Sequence, residues 1–162
     1  MMKRIIIHWT AGTYFPNGTD LEHYHYLIDK NGKIYNGKYM PEDNENCSDG
    51  KYAAHTGGGN TGSVGIALCG MYGFKNGDNA GRYPITSVQC EVLFELTADL
   101  CRKYKINISE NTVMTHYEFG KKYPETSSRG KIDIIFLPPY PNLIYNEIGG
   151  FIRNQVIKVY KR

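Results

Sequence analysis

The chain has 162 residues, a formal net charge of +3 and a hydrophobic content of 41%. It has the length of one domain, and no apolar run approaches the ~20 residues that a membrane-spanning helix needs. The small net charge argues against a nucleic-acid-binding protein, which normally shows a clustered basic patch. We therefore expect one monomeric domain over residues 1–162, without a membrane segment or a nucleic-acid partner.

The four cysteines include no CxxC pair, and we expect them to be free, buried thiols, as is typical of a reducing compartment. The N-terminal apolar run Ile5–Ile7 is too short for the core of a signal peptide. The chain is therefore expected to be made in the cytoplasm and to carry no export signal.

The first half of the chain predicts a sheet. Lys3–His8 is an apolar strand that ends on a histidine, and His23–Ile28 alternates as a strand. The pair Asn31-Gly32 is a strong hairpin signal before a returning strand at Lys33–Tyr35. Ser63–Leu68 predicts a further, buried strand.

The second half adds helices and one short strand. Thr86 and Gln89 have the spacing of a capping box, and the helix that they open should end near residues 103–105. Its predicted apolar face, at a period of about 3.6 residues, consists of Val88, Val92, Leu93, Leu96, Leu100 and Tyr104. A strand over 112–116 ends on His116, and the C-terminal run 148–160 fits a helix, although Val156–Tyr160 could also form an edge strand. The predicted fold class is α/β, with a central mixed sheet flanked by helices.

Two predicted strands end on histidines, His8 and His116, and Asp133 follows the second one after a polar loop. Imidazole and carboxylate oxygen both suit zinc, and a catalytic zinc site takes three protein ligands and leaves one position open. These three residues could therefore form a zinc site of two imidazoles and one carboxylate.

Other interpretations of the same residues remain open at this point. A histidine after an apolar strand can be a hydrogen-bonded core residue, and Lys131 with Asp133 could be a solvated face of a loop. His23 and His25 are two residues apart on a predicted strand, so they would share one face and could also chelate a metal ion.

Four segments carry a family resemblance. In chain order they are IIIHWTAG, YHYLIDKNGKIYNG, AAHTGGGNTGSVGIALCG and HYEFG…GKID. They resemble the zinc N-acetylmuramoyl-L-alanine amidases, the superfamily of phage-T7-lysozyme-type amidases and peptidoglycan-recognition proteins. The segments stand in the expected order and cover most of residues 4–138. The resemblance implies the same α/β architecture, with the metal at the rim of the sheet.

The resemblance also implies the zinc ligands. His8 and His116 occupy the two histidine positions, and Asp133 matches the version of the superfamily in which the third ligand is aspartate rather than cysteine. The gap from His116 to Asp133 is longer than in many relatives, which leaves Glu118 and Glu125 as rival third ligands.

The remaining site residues are implied in the same way. Lys131 matches a functional lysine and is expected to stabilise the oxyanion of the tetrahedral intermediate. Part of the superfamily positions the attacking water with a glutamate where this chain has Ala67, and the other branch uses a tyrosine that matches Tyr24. His55 and Asn60 fall in a loop that borders the substrate groove, so we expect them to bind substrate.

The expected reaction is hydrolysis of the amide bond between the lactyl group of N-acetylmuramic acid and L-alanine of the peptidoglycan stem peptide, by water that zinc activates. The expected partner is peptidoglycan or a muropeptide, and the expected role is that of a phage or prophage lysin released from the cytoplasm to the cell wall. The alternatives are a cytoplasmic amidase that recycles anhydro-muropeptides and a non-catalytic peptidoglycan-binding module.

Overall fold

The computed structural model describes residues 1–162 and contains five strands. They are β1 (Arg4–Trp9), β2 (Tyr26–Ile28), β3 (Ile34–Asn36), β4 (Ser63–Leu68) and β5 (Val113–Thr115). The strands form one mixed sheet in the order β3-β2-β4-β1-β5. Strand β1 is parallel to both of its neighbours, β4 and β5, whereas β2 and β3 form an antiparallel hairpin. The predicted fold class is confirmed.

The two faces of β1 have different surroundings because successive side chains point to opposite sides of a strand. Ile5, Ile7 and Trp9 belong to the main hydrophobic core. On the opposite face, Ile6 packs in a small cluster with Met114 and Phe119. His8 has the same parity as Ile6, so it lies on this second face, near the carboxyl end of the strand.

Helices α2 (Ser87–Tyr104) and α4 (Ile148–Tyr160) pack together and cover the main core. The capping box of α2 is present, with the Thr86 hydroxyl accepting from the Gln89 N–H. The C-terminal run is helical, so the alternative of an edge strand at Val156–Tyr160 is wrong. None of the helices combines the length and the apolar character that crossing a membrane requires.

The predicted buried face of α2 is wrong in part. Val88 is 45% exposed, and Val92 and Leu96 are only partly buried. Leu93 and Leu100 are buried as predicted, and the buried face also contains residues that the apolar pattern left out, namely Gln89, Cys90, Phe94, Thr97, Ala98 and Cys101. The Gln89 amide explains this orientation, because it donates to the carbonyls of Ile28 and Cys69 on the sheet (3.0 and 2.9 Å).

The predicted strand over His23–Ile28 is also wrong at its start. His23 is the last residue of helix α1 (Gly18–His23) and is exposed, and β2 begins only at Tyr26. His25 is buried, where its Nδ1 accepts from the Gly65 N–H (2.9 Å) and its Nε2 bonds to the Asn44 side-chain oxygen (2.9 Å). The two histidines therefore do not share a strand face, and the chelate that they would form is excluded.

Two further details differ from the sequence prediction. His116 does not end the strand but begins a short helix, α3 (His116–Lys122), directly after β5. All four cysteines are free; three are buried as expected, and Cys47 is only partly buried.

Candidate metal centre

The sheet topology brings three of the predicted site residues together. Because β1 and β5 are parallel neighbours, their carboxyl ends meet at the same edge of the sheet. This places His8, near the end of β1, beside His116, which follows β5. The Tyr117 N–H donates to the Asp133 carbonyl (2.6 Å), and this hydrogen bond holds the returning loop against the start of α3.

The three side chains converge on one point. The Nδ1 atoms of His8 and His116 are 3.1 Å apart. Each lies close to Oδ2 of Asp133, at 2.9 Å from His8 and 3.1 Å from His116. Two ligands of a tetrahedral zinc ion, each ~2.1 Å from the metal, are roughly 3.4 Å apart, so the three atoms form a triangle of nearly the size that zinc needs. The donor set of two imidazoles and one carboxylate also fits a catalytic zinc site.

Burial and hydrogen bonding together set the charges of His8 and Asp133. Burial lowers the pKa of His8 to about 4, although the hydrogen bond to Asp133 opposes the shift. Burial alone would raise the pKa of Asp133, but hydrogen bonding to His116 and His8 outweighs it and brings this pKa down to about 2. At neutral pH, His8 is thus uncharged and Asp133 is ionised, which are the forms that bind metal.

A second layer of polar groups surrounds the two imidazoles. His116 Nε2 is 3.0 Å from the hydroxyl of Ser128, and this hydroxyl donates to the carbonyl of Gly57 (2.7 Å). His8 Nε2 is 3.3 Å from the Thr56 hydroxyl and 3.2 Å from His55 Nδ1. Both ring nitrogens of each imidazole are therefore engaged. Nothing in the local sequence of Ser128 or Thr56 marks either residue, so sequence patterns do not predict this role.

An open cleft of about 600 Å³ lies over the triangle. Its lining includes Tyr24, His55, Lys131 and the three converging residues. The Tyr24 ring is 5.1 Å from the His8 ring, and burial raises the pKa of its hydroxyl, so the phenol remains protonated. The Lys131 side chain is exposed to solvent in the cleft. The cleft thus presents a phenol and an ammonium group beside the converging ligand atoms.

The rival third ligands lie elsewhere. The Glu118 carboxylate accepts both of its charged hydrogen bonds from Arg153 (3.0 Å each) and is not part of the converging group. Glu125 is exposed and also outside that group. Of the predicted third ligands, only Asp133 lies beside the two histidines.

His55 and Asn60 were predicted to bind substrate, and the structure gives both of them protein partners. The side-chain oxygen of Asn60 accepts from the backbone N–H groups of His55 and Thr56 (2.9 and 2.8 Å). The His55 ring lies against Gly65, where an added Cβ would be 2.5 Å from the ring. Substrate binding by these two residues stays a prediction.

Solved structures with a similar fold include three whose TM-scores reach 0.50. The first is a mutant of PlyL, with 19% identity, 96% of this chain and 85% of that chain covered, and a TM-score of 0.54. The second is the Ph2119 endolysin from the Thermus scotoductus MAT2119 bacteriophage Ph2119, with 20% identity, 72% of each chain covered and a TM-score of 0.51. The third is the endolysin N-acetylmuramoyl-L-alanine amidase LysCS from Clostridium intestinale URNW, with 21% identity, 71% of this chain and 68% of that chain covered, and a TM-score of 0.50. At sequence identities this low, the similarity to these three structures shows a shared fold and nothing more.

The sequence comparison identifies the family. No curated protein sequence gives a significant match to this chain. The family model described as N-acetylmuramoyl-L-alanine amidase matches residues 1–131, which is most of the chain and includes His8 and His116. The chain therefore belongs to the N-acetylmuramoyl-L-alanine amidase family.

Proposed function

We propose that this protein is a zinc-dependent amidase that hydrolyses the bond between the lactyl group of N-acetylmuramic acid and L-alanine of the stem peptide. The observation that carries the proposal is the triangle of buried ligand atoms from His8, His116 and Asp133 at the base of an open cleft. Membership of the amidase family supports the choice of scissile bond.

The residues of the cleft have distinct proposed roles. His8, His116 and Asp133 hold the metal ion, and three protein ligands leave a fourth position for water or substrate. The chemistry that zinc supplies in such sites is a water of pKa about 7 and a positive charge that polarises the scissile carbonyl. Tyr24, whose phenol stays protonated, donates a hydrogen bond that orients the reacting oxygen atoms.

Lys131 is proposed to stabilise the negative charge that develops on the carbonyl oxygen. It is two positions before Asp133 in the chain, and both residues line the same cleft. Removal of one oxyanion donor typically lowers kcat by ~10²–10³. No carboxylate shares the strand position beside His8, because its partner across the sheet is Ala67. Tyr24 is therefore our candidate for the water-positioning role.

The biological role that we propose is that of a phage or prophage lysin acting on peptidoglycan as a monomer. Support comes from the fold, since two of the structures that it resembles are named endolysins. The second candidate, a recycling amidase, uses the same chemistry on a soluble muropeptide. The two roles differ in the substrate that is cut best: intact sacculi for a lysin and soluble anhydro-muropeptides for a recycling enzyme.

The test combines zinc content with an assay of purified peptidoglycan that counts new L-alanine amino termini. The wild-type protein should hold one zinc ion per chain, lose activity on chelation and regain it when zinc is restored. Asp133→Ala should lose both zinc and activity, whereas Glu125→Ala, the matched removal of an exposed carboxylate, should keep both. Tight binding of peptidoglycan without new amino termini would establish a binding module instead, and full activity without metal would refute the zinc mechanism.

A further inference from the structure

In His8 and His116, Nδ1 faces Asp133 and Nε2 points away from it. From each Nε2, a chain of hydrogen bonds leads to a backbone carbonyl. Ser128 provides the link for His116, and Thr56 with His55 provides it for His8. A carbonyl oxygen can only accept a hydrogen bond, so each chain has a fixed direction.

The direction of the first chain follows from one proton. The Ser128 hydroxyl has a single hydrogen, and it is donated to the Gly57 carbonyl at 2.7 Å. The same oxygen is 3.0 Å from His116 Nε2, where it can only accept. His116 Nε2 therefore donates to Ser128, and when a metal ion replaces the hydrogen between His116 Nδ1 and Asp133, the Nδ1 lone pair faces the ion.

The second chain is longer but ends in the same way. His55 Nε2 lies 3.2 Å from the Ser63 carbonyl and donates to it, so Nδ1 of a ring with one hydrogen accepts. The Thr56 hydroxyl, 2.7 Å away, supplies that hydrogen. The Thr56 oxygen is then left to accept from His8 Nε2 at 3.3 Å, and His55 Nδ1, already bonded to the Thr56 hydroxyl, lies 3.2 Å from the same nitrogen. His8 Nε2 thereby also donates, and its Nδ1 lone pair faces the ion when a metal ion replaces the hydrogen between Nδ1 and Asp133.

We propose that the hydroxyls of Ser128 and Thr56 are positioning groups that hold both histidines in the tautomer whose Nδ1 lone pairs face the metal ion. The proposal rests on the proposed zinc binding. Neither hydroxyl touches the ligand triangle itself, and both residues are fully buried, with an exposed fraction of 0%. Their effect is therefore transmitted through the imidazoles rather than by contact with substrate.

Loss of either hydroxyl should weaken zinc binding because a buried, unpaired N–H group costs free energy. If the Ser128 hydroxyl were removed, the Nε2 hydrogen of His116 would have no partner in a position that water does not reach. That penalty favours rotation of the ring or transfer of its hydrogen to Nδ1, and either change removes a metal ligand. Loss of such a partner typically lowers metal affinity by 10–100-fold.

The chain offers matched controls for both positions. Ser128→Ala removes the linking hydroxyl, and Ser127→Ala removes the hydroxyl of its exposed neighbour. Thr56→Val removes the second linking hydroxyl at nearly constant volume, and Thr56→Ser keeps it. The measurement is the zinc Kd by competition with a chelator, after circular dichroism has shown that each variant is folded.

Ser128→Ala and Thr56→Val should each bind zinc 10–100-fold more weakly, whereas Ser127→Ala and Thr56→Ser should stay within roughly threefold of wild type. In the zinc-loaded wild type, nitrogen NMR of the imidazoles should show hydrogens on Nε2 of His8 and His116 and metal on Nδ1. Zinc coordinated through Nε2, or an unchanged Kd in both hydroxyl-deleted variants, would overturn the inference. A wild-type protein that binds no zinc would instead refute the proposed function.

Discussion

The ion pair between Arg153 of α4 and Glu118 of α3 should be the strongest charge–charge coupling in the protein. Both Arg153–Glu118 contacts measure 3.0 Å, and Arg153 also donates to the carbonyl of Val113 (2.9 Å). Glu118 in turn accepts from the Thr115 N–H (3.0 Å), so the pair connects the C-terminal helix to the chain just before His116. The strength of this ion pair can be measured with a double-mutant cycle of Arg153→Met, Glu118→Gln and the double variant.

The free-energy cost of breaking this ion pair depends on how deeply its two side chains are buried. The side chains of Arg153 and Glu118 are only 15% and 26% exposed, so neither charge is fully hydrated when its partner is removed. Breaking a fully buried pair costs ~3–5 kcal/mol, and partial exposure reduces this to about 2–3 kcal/mol for Arg153→Met. We expect a coupling free energy of ~1–2 kcal/mol, since the double variant leaves no unpaired charge.

The free energy of unfolding of each variant would be measured by urea denaturation of the zinc-free protein at neutral pH. The pair between Arg162 and Glu95 provides the control, because it has a short contact (2.7 Å) but side chains that are 68% and 53% exposed. Its cycle, with Arg162→Met and Glu95→Gln, should give no more than ~0.5 kcal/mol. Equal coupling in the two cycles would refute the argument that burial, rather than distance, decides the strength of an ion pair.

Three further predictions concern packing, pH and catalysis. Gly149→Ala should lower the free energy of unfolding by ~2 kcal/mol or more in urea denaturation, because the added Cβ would overlap the Glu118 carboxylate, which Arg153 holds in place; wild-type stability would show that α4 can shift at no cost. Burial lowers the pKa of His25 to about 4, so between pH 6.5 and 4 the unfolded chain binds a proton that the folded chain does not. His25 should therefore contribute about 2–3 kcal/mol to the fall in the free energy of unfolding from pH 7 to 4.5, so the fall should be smaller by that amount in His25→Gln; an identical pH dependence in that variant would contradict the assignment. Tyr24→Phe should lower turnover by ~10²-fold and Lys131→Met by ~10²–10³ while zinc stays near one per chain; wild-type turnover in either variant would remove that residue from the mechanism.

The sequence was most informative where local chemistry decides the structure. The capping box at Thr86 and the Asn31-Gly32 hairpin are properties of adjacent residues, and both are present. The apolar strand before His8 also predicted its place, because a parallel strand buried on both faces is a continuous hydrophobic run. From such patterns alone, however, His8 could equally have been a core residue, and the pairing with Asp133 came from the family resemblance.

The sequence was least informative where distant partners decide. The buried face of α2 follows Gln89 rather than Val88, since the Gln89 amide finds two carbonyls on the sheet that no helical periodicity can reveal. His23 was assigned to a strand because of its alternating neighbours, but the capping box of Asn17 and Asp20 stabilises a helix there. The roles of Ser128 and Thr56 depend on contacts with histidines 12 and 48 residues away in sequence.

The placement of the centre at a junction of parallel strands also determines when a metal ion can bind during folding. His8 and His116 are separated by 108 residues, and His8 and Asp133 by 125. Parallel pairing of β1 with β5 requires the intervening loop to close, and contacts of such long range form slowly. No short segment of the nascent chain contains a complete ligand set, so zinc cannot nucleate this fold as it does in a zinc finger. If the protein binds zinc as proposed, the ion should act after the sheet is assembled, by slowing unfolding rather than by speeding folding.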